Sequence, residues 1–189
     1  HLSEAREGDF LKGLFPLGNT FPLEEPVGST VVLSGGIGIA PLYFYLKSLW
    51  RRSPESLRKI RVHLGASDAD GLIFYDEISR WGCQVTLSTD DGSLGEKGSC
   101  LDRFQSELTQ GETPEKILTC GPHGLLRAVA RLALRTKIPC YLATEEVMGC
   151  GFGACVGCAI PARKGSSIMP YKLVCVDGPV FEARELEWV

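Results

Sequence analysis

Residues 29–52 read STVVLSGGIGIAPLYFYLKSLWRR, and the fold can be worked out from this stretch. Its first six residues are a short apolar run that predicts a buried strand. Residues 41–52 have the apolar spacing of an amphipathic helix, with Pro41 at the first helical position. A strand that passes through glycines into a helix is the opening unit of an α/β fold.

The same rhythm continues along the chain. Apolar runs predict further strands, helical spacing predicts further helices, and the two alternate, which indicates a doubly wound parallel sheet of five strands with both faces covered. After Lys137 the pattern changes to short extended runs, glycines and cysteines. We therefore expect a nucleotide-type domain over residues 24–140, with its boundary near 138–142, and a small irregular β-rich domain over 141–189. The further predicted strands are 60–66, 84–89 and 115–120, and the predicted helices are 71–81, 99–109 and 123–136.

Composition narrows the functional classes. The chain has 189 residues, of which 44% are hydrophobic, and a formal net charge of −3. This charge is too small and too mixed to indicate nucleic acid or a membrane surface as a partner. No apolar run reaches the roughly 20 residues of a spanning helix, and no leader peptide is recognisable.

Four cysteines carry the strongest chemical signal. Residues 149–158 read GCGFGACVGC, so Cys150, Cys155 and Cys158 follow C-x4-C-x2-C, and Cys175 follows in VCVDGP. This is the plant-type spacing for four thiolates that hold a [2Fe–2S] cluster. A zinc site usually pairs its cysteines in two short knuckles, and a disulfide framework needs an oxidising compartment. Reduced thiols beside such a cluster indicate the cytoplasm.

Two glycine-containing turns predict a nucleotide site. SGGIGIAPL, residues 34–42, joins the first strand to the first helix, where backbone N–H groups and a helix N-terminus can meet a pyrophosphate. It lacks the G-x-G-x-x-G pattern, so a simple tight turn is the alternative. TCGPHGLL, residues 119–126, ends the fourth strand at the same edge of the sheet. The candidate NAD ligands in these turns are Gly35, Gly36, Ile37, Gly38, Ala40, Pro41, Cys120, Gly121 and Pro122.

Carboxylates after two strands bear on the choice of nucleotide. ASDAD follows the second strand and carries Asp68 and Asp70 without a Lys or Arg. A carboxylate there favours a ribose 2′-hydroxyl over a 2′-phosphate, which predicts NAD and makes Asp68 a ligand. Asp90 lies in TDDGSLGEKG after the third strand and is a further candidate, although a solvated surface turn explains that loop equally well.

In order along the chain, these motifs resemble the ferredoxin-reductase superfamily. GGIGIAPL is similar to its pyridine-nucleotide loop, and CGP to the motif that sets a cysteine beside the nicotinamide. PLGNTF, residues 16–21, together with GCGFGACVGC and VCVDGPVF, resembles the branch formed by electron-transfer subunits of NAD-linked dihydroorotate dehydrogenases. Phe15 and Thr20 stand where that branch has glycine, and Gly149 where it has alanine.

The resemblance implies an electron-transfer protein in which bound cofactors, and not side chains, carry out the reaction. It implies FAD, with residues 1–23 as the end of an FAD-binding β-barrel and Leu17, Gly18 and Asn19 as flavin-binding residues. It also implies that Cys120 lies beside the nicotinamide in a catalytic position. The partner would be an FMN-containing dihydroorotate dehydrogenase subunit, in a heterotetramer that serves pyrimidine biosynthesis. We expect the three histidines, His1, His63 and His123, to be structural or solvated.

Two other functions stay open. One is the small flavin subunit of an NAD(P)H–ferredoxin or sulfide-dehydrogenase type complex, in which aspartate replaces the first cluster cysteine, so that Cys150 argues against it. The other is a redox sensor that binds a cluster without turnover, against which the nucleotide site argues.

Overall fold

The computed structural model describes residues 4–26 and 28–188. The expectations placed on residues 1–3, which include His1 and the start of the predicted barrel remnant, lie outside this part of the chain. Within it, no helix is long and apolar enough to cross a membrane.

Most of the strands belong to one sheet. In chain order, the strands in the described residues are β1 Thr30–Gly35, β2 Ile60–Ala66, β3 Gln84–Thr89, β4 Glu96–Lys97, β5 Lys116–Cys120, β6 Cys140–Ala143, β7 Ala159–Pro161, β8 Tyr171–Leu173 and β9 Val180–Glu182. Seven of them form a sheet in the order β4-β3-β2-β1-β5-β6-β9. The prediction of five parallel strands is confirmed at the centre of the sheet, where β1, β2, β3, β5 and β6 pair only in parallel with one another. Four of them lie at predicted strands, and β6 is the fifth. Two short edge strands extend this set: β4 pairs parallel with β3, and β9 pairs antiparallel with β6.

Helices cover both faces of the sheet, as the sequence predicts for a doubly wound fold. Val32 belongs to the hydrophobic cluster that also contains Leu46 of the first helix, whereas its neighbours Val31 and Leu33 belong to the cluster on the other face. Because both faces are buried, β1 is apolar along its length instead of alternating. The helices are α1 Ile39–Arg52, α2 Tyr75–Arg80, α3 Cys100–Thr109 and α4 His123–Thr136.

Two helices differ from their predicted bounds by more than one residue. α1 begins at Ile39, so Pro41 lies within the first turn and not at the first position. Proline is tolerated there because the first N–H groups of a helix have no intrahelical partner. The predicted helix 71–81 is a 3₁₀ turn at Ala69–Gly71 followed by the shorter α2, because Leu72 is extended and Phe74 takes a left-handed conformation.

The cysteine-rich region is continuous with the main sheet. β6 leads into the loop 144–158, the hairpin of β7 and β8 follows, and β9 returns to pair with β6. A small core of its own contains Val174, Phe181 and Leu186. The boundary expected at 138–142 coincides with β6, so the polypeptide on both sides of it shares one sheet.

Candidate cluster and nucleotide sites

The four predicted cluster cysteines lie on two segments that face each other. Cys150, Cys155 and Cys158 follow one another through the loop that leaves β6, and Cys175 lies on the turn between β8 and β9. Cys158 and Cys175 are 3% and 4% exposed, whereas Cys155 is exposed to solvent. The site therefore has a buried side and an open side.

Backbone N–H groups point at these sulfurs. The N–H of Cys155 donates to Cys150 Sγ at 3.4 Å, and the N–H of Cys175 donates to Cys158 Sγ at 3.5 Å. Backbone hydrogen bonds from Cys155 and Phe152 lower the pKa of Cys150 to about 6. Burial, followed by the Cys158 thiol, raises the pKa of Cys175, to which the charge of Cys150 also contributes. Hydrogen bonds of this kind help to set the potential of a thiolate-bound cluster.

The donor set, four thiols, fits a [2Fe–2S] cluster. Among the described residues, no group of three or more His, Cys, Asp or Glu side chains is arranged to hold a metal ion. Backbone N–H···S hydrogen bonds link Cys155 to Cys150 and Cys175 to Cys158, and the Gly157 N–H donates to Cys155 Sγ at 3.4 Å. A [2Fe–2S] centre divides four protein ligands between two irons, so a set of four thiols suits it.

The glycines of the loop after β1 have different surroundings. A Cβ on Gly38 would lie 2.4 Å from the Cys120 carbonyl oxygen, so this glycine lets the loop pack directly on the CGP turn. Gly36 has φ of +53° and would place a Cβ in open space. Gly36 is thus the glycine of this loop that leaves room for a ligand.

The groove at the carboxyl ends of β1, β2 and β3 is the candidate nucleotide site. It has a volume of about 210 Å³. The N-terminal ends of α3 and α4 border it, and a helix N-terminus favours negative charge. None of the described residues that line it is Lys or Arg. The lining comprises Gly35, Gly36, Gly65, Ala66, Ser67, Asp90, Gly98, Ser99, Cys100, Pro122 and Leu125.

The structure separates the two candidate carboxylates. Asp90 lines the groove, whereas Asp68 does not and instead caps a 3₁₀ turn through a 3.0 Å hydrogen bond from the Gly71 N–H to Oδ1. Ile37, in the turn before α1, and Ala40 and Pro41, in its first turn, are exposed and lie outside the groove lining. The sequence did not point to Ser99, although its S-x-x-D pattern with Asp102 forms a capping box at the groove.

On the other side of Pro122 lies a larger cavity of about 520 Å³. Its walls combine Gly121 and Pro122 with the start of the cluster loop at Glu145 and with Trp188 near the C-terminus. Burial, followed by the charge of Glu145, raises the pKa of Cys120 to about 11. Cys120 is therefore a neutral thiol at neutral pH, and Glu145 is a neighbour that sequence patterns did not reveal.

The three predicted flavin residues lie together beside the cysteine-rich region. Leu17 approaches Gly151 of the cluster loop, where a Cβ would lie 3.3 Å from the leucine Cδ1. Gly18 packs on the Gly178 carbonyl, and the Asn19 amide bonds to the backbone around it. The structure thus joins these residues to the cluster segment, and the Asn19 side chain already has protein partners.

Comparison with known proteins assigns the family. Residues 32–131 match the oxidoreductase NAD-binding domain, and residues 145–187 match the iron-sulfur cluster binding domain of dihydroorotate dehydrogenase B. The dihydroorotate dehydrogenase B (NAD(+)) electron transfer subunit of Bacillus caldolyticus is 39% identical over 98% of this chain and 68% of its own length. This chain belongs to the dihydroorotate dehydrogenase B electron transfer subunit family. The family member from Desulforamulus reducens is 32% identical over 99% of the chain and 69% of its own length.

A solved structure agrees with this family assignment. The NADH-dependent reduced ferredoxin-NADP oxidoreductase, described in work on flavin-based electron bifurcation, superimposes with a TM-score of 0.80 at 29% identity. The match covers 99% of this chain and 64% of that one. The resemblance to ferredoxin-reductase-type proteins, predicted from the motifs, is therefore confirmed.

Proposed function

We propose that this chain passes electrons between a [2Fe–2S] cluster, FAD and NAD, and so serves the oxidation of dihydroorotate to orotate by an FMN-bearing partner subunit. The observation that carries the proposal is that one sheet positions both candidate sites. The nucleotide groove lies at the carboxyl ends of β1, β2 and β3, and β6 of the same sheet leads into the loop of the first three cluster cysteines. The named function of the relatives supports it. A cluster exchanges single electrons and a nicotinamide accepts a hydride, so a flavin that does both is needed between them.

Each site would have its own residues. Cys150, Cys155, Cys158 and Cys175 would hold the cluster. NAD would lie in the groove, with its pyrophosphate near Gly36 and its adenosine ribose at Asp90. Residues 1–23 would end an FAD-binding barrel, residues 24–140 would form the NAD domain and residues 141–189 the cluster domain.

The remaining candidate residues have supporting tasks. A neutral Cys120 thiol beside the nicotinamide would provide contact without competing as a nucleophile, because its pKa is about 11. Glu145 would place a negative charge near the ring, which favours the oxidised, cationic nicotinamide. The eight cysteines, read as reduced thiols, support a cytoplasmic location.

The partner would cover the open side of the cluster. Phe152 is 66% exposed and Val156 is 41% exposed on the cluster loop, and Val176 is 53% exposed on the facing turn. An apolar rim around a site that must exchange electrons suits a protein partner, which would also keep solvent from the thiolates. We infer that an FMN-containing catalytic subunit docks here, in a heterotetramer.

A charge placed on this rim tests the function. In the full-length complex, Phe152→Asp should weaken association and slow NAD⁺ reduction by dihydroorotate, while NADH oxidation by an artificial acceptor at the flavin continues. Ile168→Asp is the matched control, because Ile168 is a fully exposed apolar residue in the segment that links β7 to β8. Equal loss of both activities in Phe152→Asp, or an equal effect of Ile168→Asp, would contradict the docking face.

The structural likeness to the ferredoxin-NADP oxidoreductase supports a second candidate function, electron transfer from ferredoxin. In that case reduced ferredoxin, and not dihydroorotate, would be the electron donor. Parallel assays of the native complex with each donor decide between them. NAD⁺ reduction with dihydroorotate, and none with ferredoxin, is the expected result.

A further inference from the structure

The side chain of Asn19 has all of its hydrogen-bonding groups engaged. Nδ2 donates to the Asp177 carbonyl at 2.9 Å and to the Val180 carbonyl at 2.8 Å. Oδ1 accepts the Val180 N–H at 2.9 Å, and the Asn19 N–H donates to the Gly178 carbonyl at 2.6 Å. Both amide donors are therefore used on one short stretch of backbone, so the side chain has no donor left for a cofactor.

The residues before Asn19 lie close to the same region. Gly18 has φ of +63°, and a Cβ there would lie 2.1 Å from the Gly178 carbonyl oxygen. Leu14 and Leu17 both approach Gly151, where a Cβ would lie 3.3 Å from each. The segment 14–19 thus contacts the loop of the first three cluster cysteines as well as the stretch that follows the fourth.

The stretch that Asn19 holds carries Cys175. Residues 173–180 form a turn closed by a 2.6 Å hydrogen bond from the Leu173 N–H to Asp177 Oδ2. A further anchor is Thr144, whose N–H and hydroxyl both donate to the Pro179 carbonyl, at 2.8 and 3.0 Å. Thr144 ties the turn to the end of β6, and Asn19 ties it to the segment that precedes the NAD domain.

We propose that Asn19 is a positioning residue that locks segment 14–19 onto the Cys175 turn and so fixes the separation between the flavin side of the protein and the cluster. The proposal deepens the proposed function and rests on it for its electron-transfer consequence. The lock matters because electron transfer slows steeply as the distance between two centres grows. Asn19 acts through the backbone it binds and not as a flavin ligand.

Hydrogen exchange of the full-length protein tests the lock directly. In Asn19→Ala the Val180 amide loses its acceptor, and its exchange should accelerate about tenfold, the factor expected for one net hydrogen bond. Asn19→Asp keeps an acceptor for that amide but turns an oxygen toward two carbonyls, so amides in both segments should also exchange faster. Thr20→Ala is the control, since Thr20 is exposed and takes no part in these hydrogen bonds.

Electron transfer and flavin content provide the second measurement. In the complex, both Asn19 variants should slow electron passage from cluster to flavin while they retain flavin and NADH oxidation by an artificial acceptor. Unchanged exchange at Val180, or loss of flavin with that amide still protected, would overturn the proposal. A wild-type complex inactive with dihydroorotate would instead contradict the proposed function, and the exchange result would still decide whether Asn19 is the lock.

Discussion

Gly38→Ala should destabilise the fold more than alanine two residues earlier. A Cβ at position 38 would lie 2.4 Å from the Cys120 carbonyl oxygen, 2.5 Å from its carbon and 2.6 Å from the Gly121 nitrogen. All three are backbone atoms of β5 and the following turn, which cannot rotate away. Overpacking of this kind costs about 3 kcal/mol. For a chain of this size that lowers the melting temperature by roughly 6–12 °C.

Gly36→Ala is the matched comparison. A Cβ added at this position would have no atom within 4 Å, so only the left-handed backbone, at φ of +53°, resists the substitution. That costs about 1 kcal/mol. The new methyl group would instead keep the pyrophosphate from the backbone. Loss of one hydrogen bond to a charged group, roughly 1.5–3 kcal/mol, should weaken NADH binding about ten- to a hundredfold.

Two assays separate these effects. Thermal unfolding measures the first, and titration of NADH fluorescence measures the second, both on anaerobically prepared protein. We expect Gly38→Ala to lower stability more than Gly36→Ala, and Gly36→Ala to lower NADH affinity without a comparable loss of stability. A Gly38→Ala protein that melts with the wild type would refute the close packing of the glycine loop on the CGP turn.

Three further predictions concern charge and protonation. Asp90→Arg should narrow or reverse a preference for NADH over NADPH, because a cation favours the 2′-phosphate. The ratio of kcat/KM for NADH to kcat/KM for NADPH measures this preference, and an unchanged ratio would show that the Asp90 carboxylate points elsewhere. His63 is 1% exposed, and burial lowers its pKa although Glu107 acts in the opposite direction. The unfolded chain therefore binds the proton more tightly, so the free energy of unfolding should fall as the pH drops below 6.5. His63→Leu should flatten this pH dependence in urea unfolding, and a pH dependence equal to that of the wild type would exclude the histidine as its source. Alkylation of Cys120 by iodoacetamide, followed by peptide mass spectrometry, should be slow at neutral pH and should rise with pH up to about 11, because only the thiolate reacts. Glu145→Gln should shift this curve to lower pH, and rapid reaction at neutral pH would contradict the raised pKa.

The regular elements could be predicted because their signals are local. β2 and β3 have their predicted bounds, and α4 begins at His123 and ends at Thr136 as the apolar spacing indicates. The cysteine pattern could be identified in the same way, because its spacing in the sequence is itself the signal. These features depend on neighbours along the chain, which a sequence displays.

The features that could not be predicted depend on contacts between distant segments. β9 pairs with β6 across nearly forty residues, and three residues are too few for a periodic signal. Asn19 bonds to backbone that lies more than 150 residues away, which no local pattern reports. The sequence also could not decide between Asp68 and Asp90, because each follows a strand in an acidic loop. Only the three-dimensional arrangement shows that Asp90 lines the groove and Asp68 does not.

Metal analysis of the anaerobically purified protein tests most directly whether the four cysteines hold a [2Fe–2S] cluster. About two irons and two acid-labile sulfides per chain are expected. Cys155→Ser should lose or weaken the cluster, whereas Cys83→Ser, a buried cysteine of the sheet core, should retain it. Stoichiometric zinc without inorganic sulfide in the native protein would contradict the account.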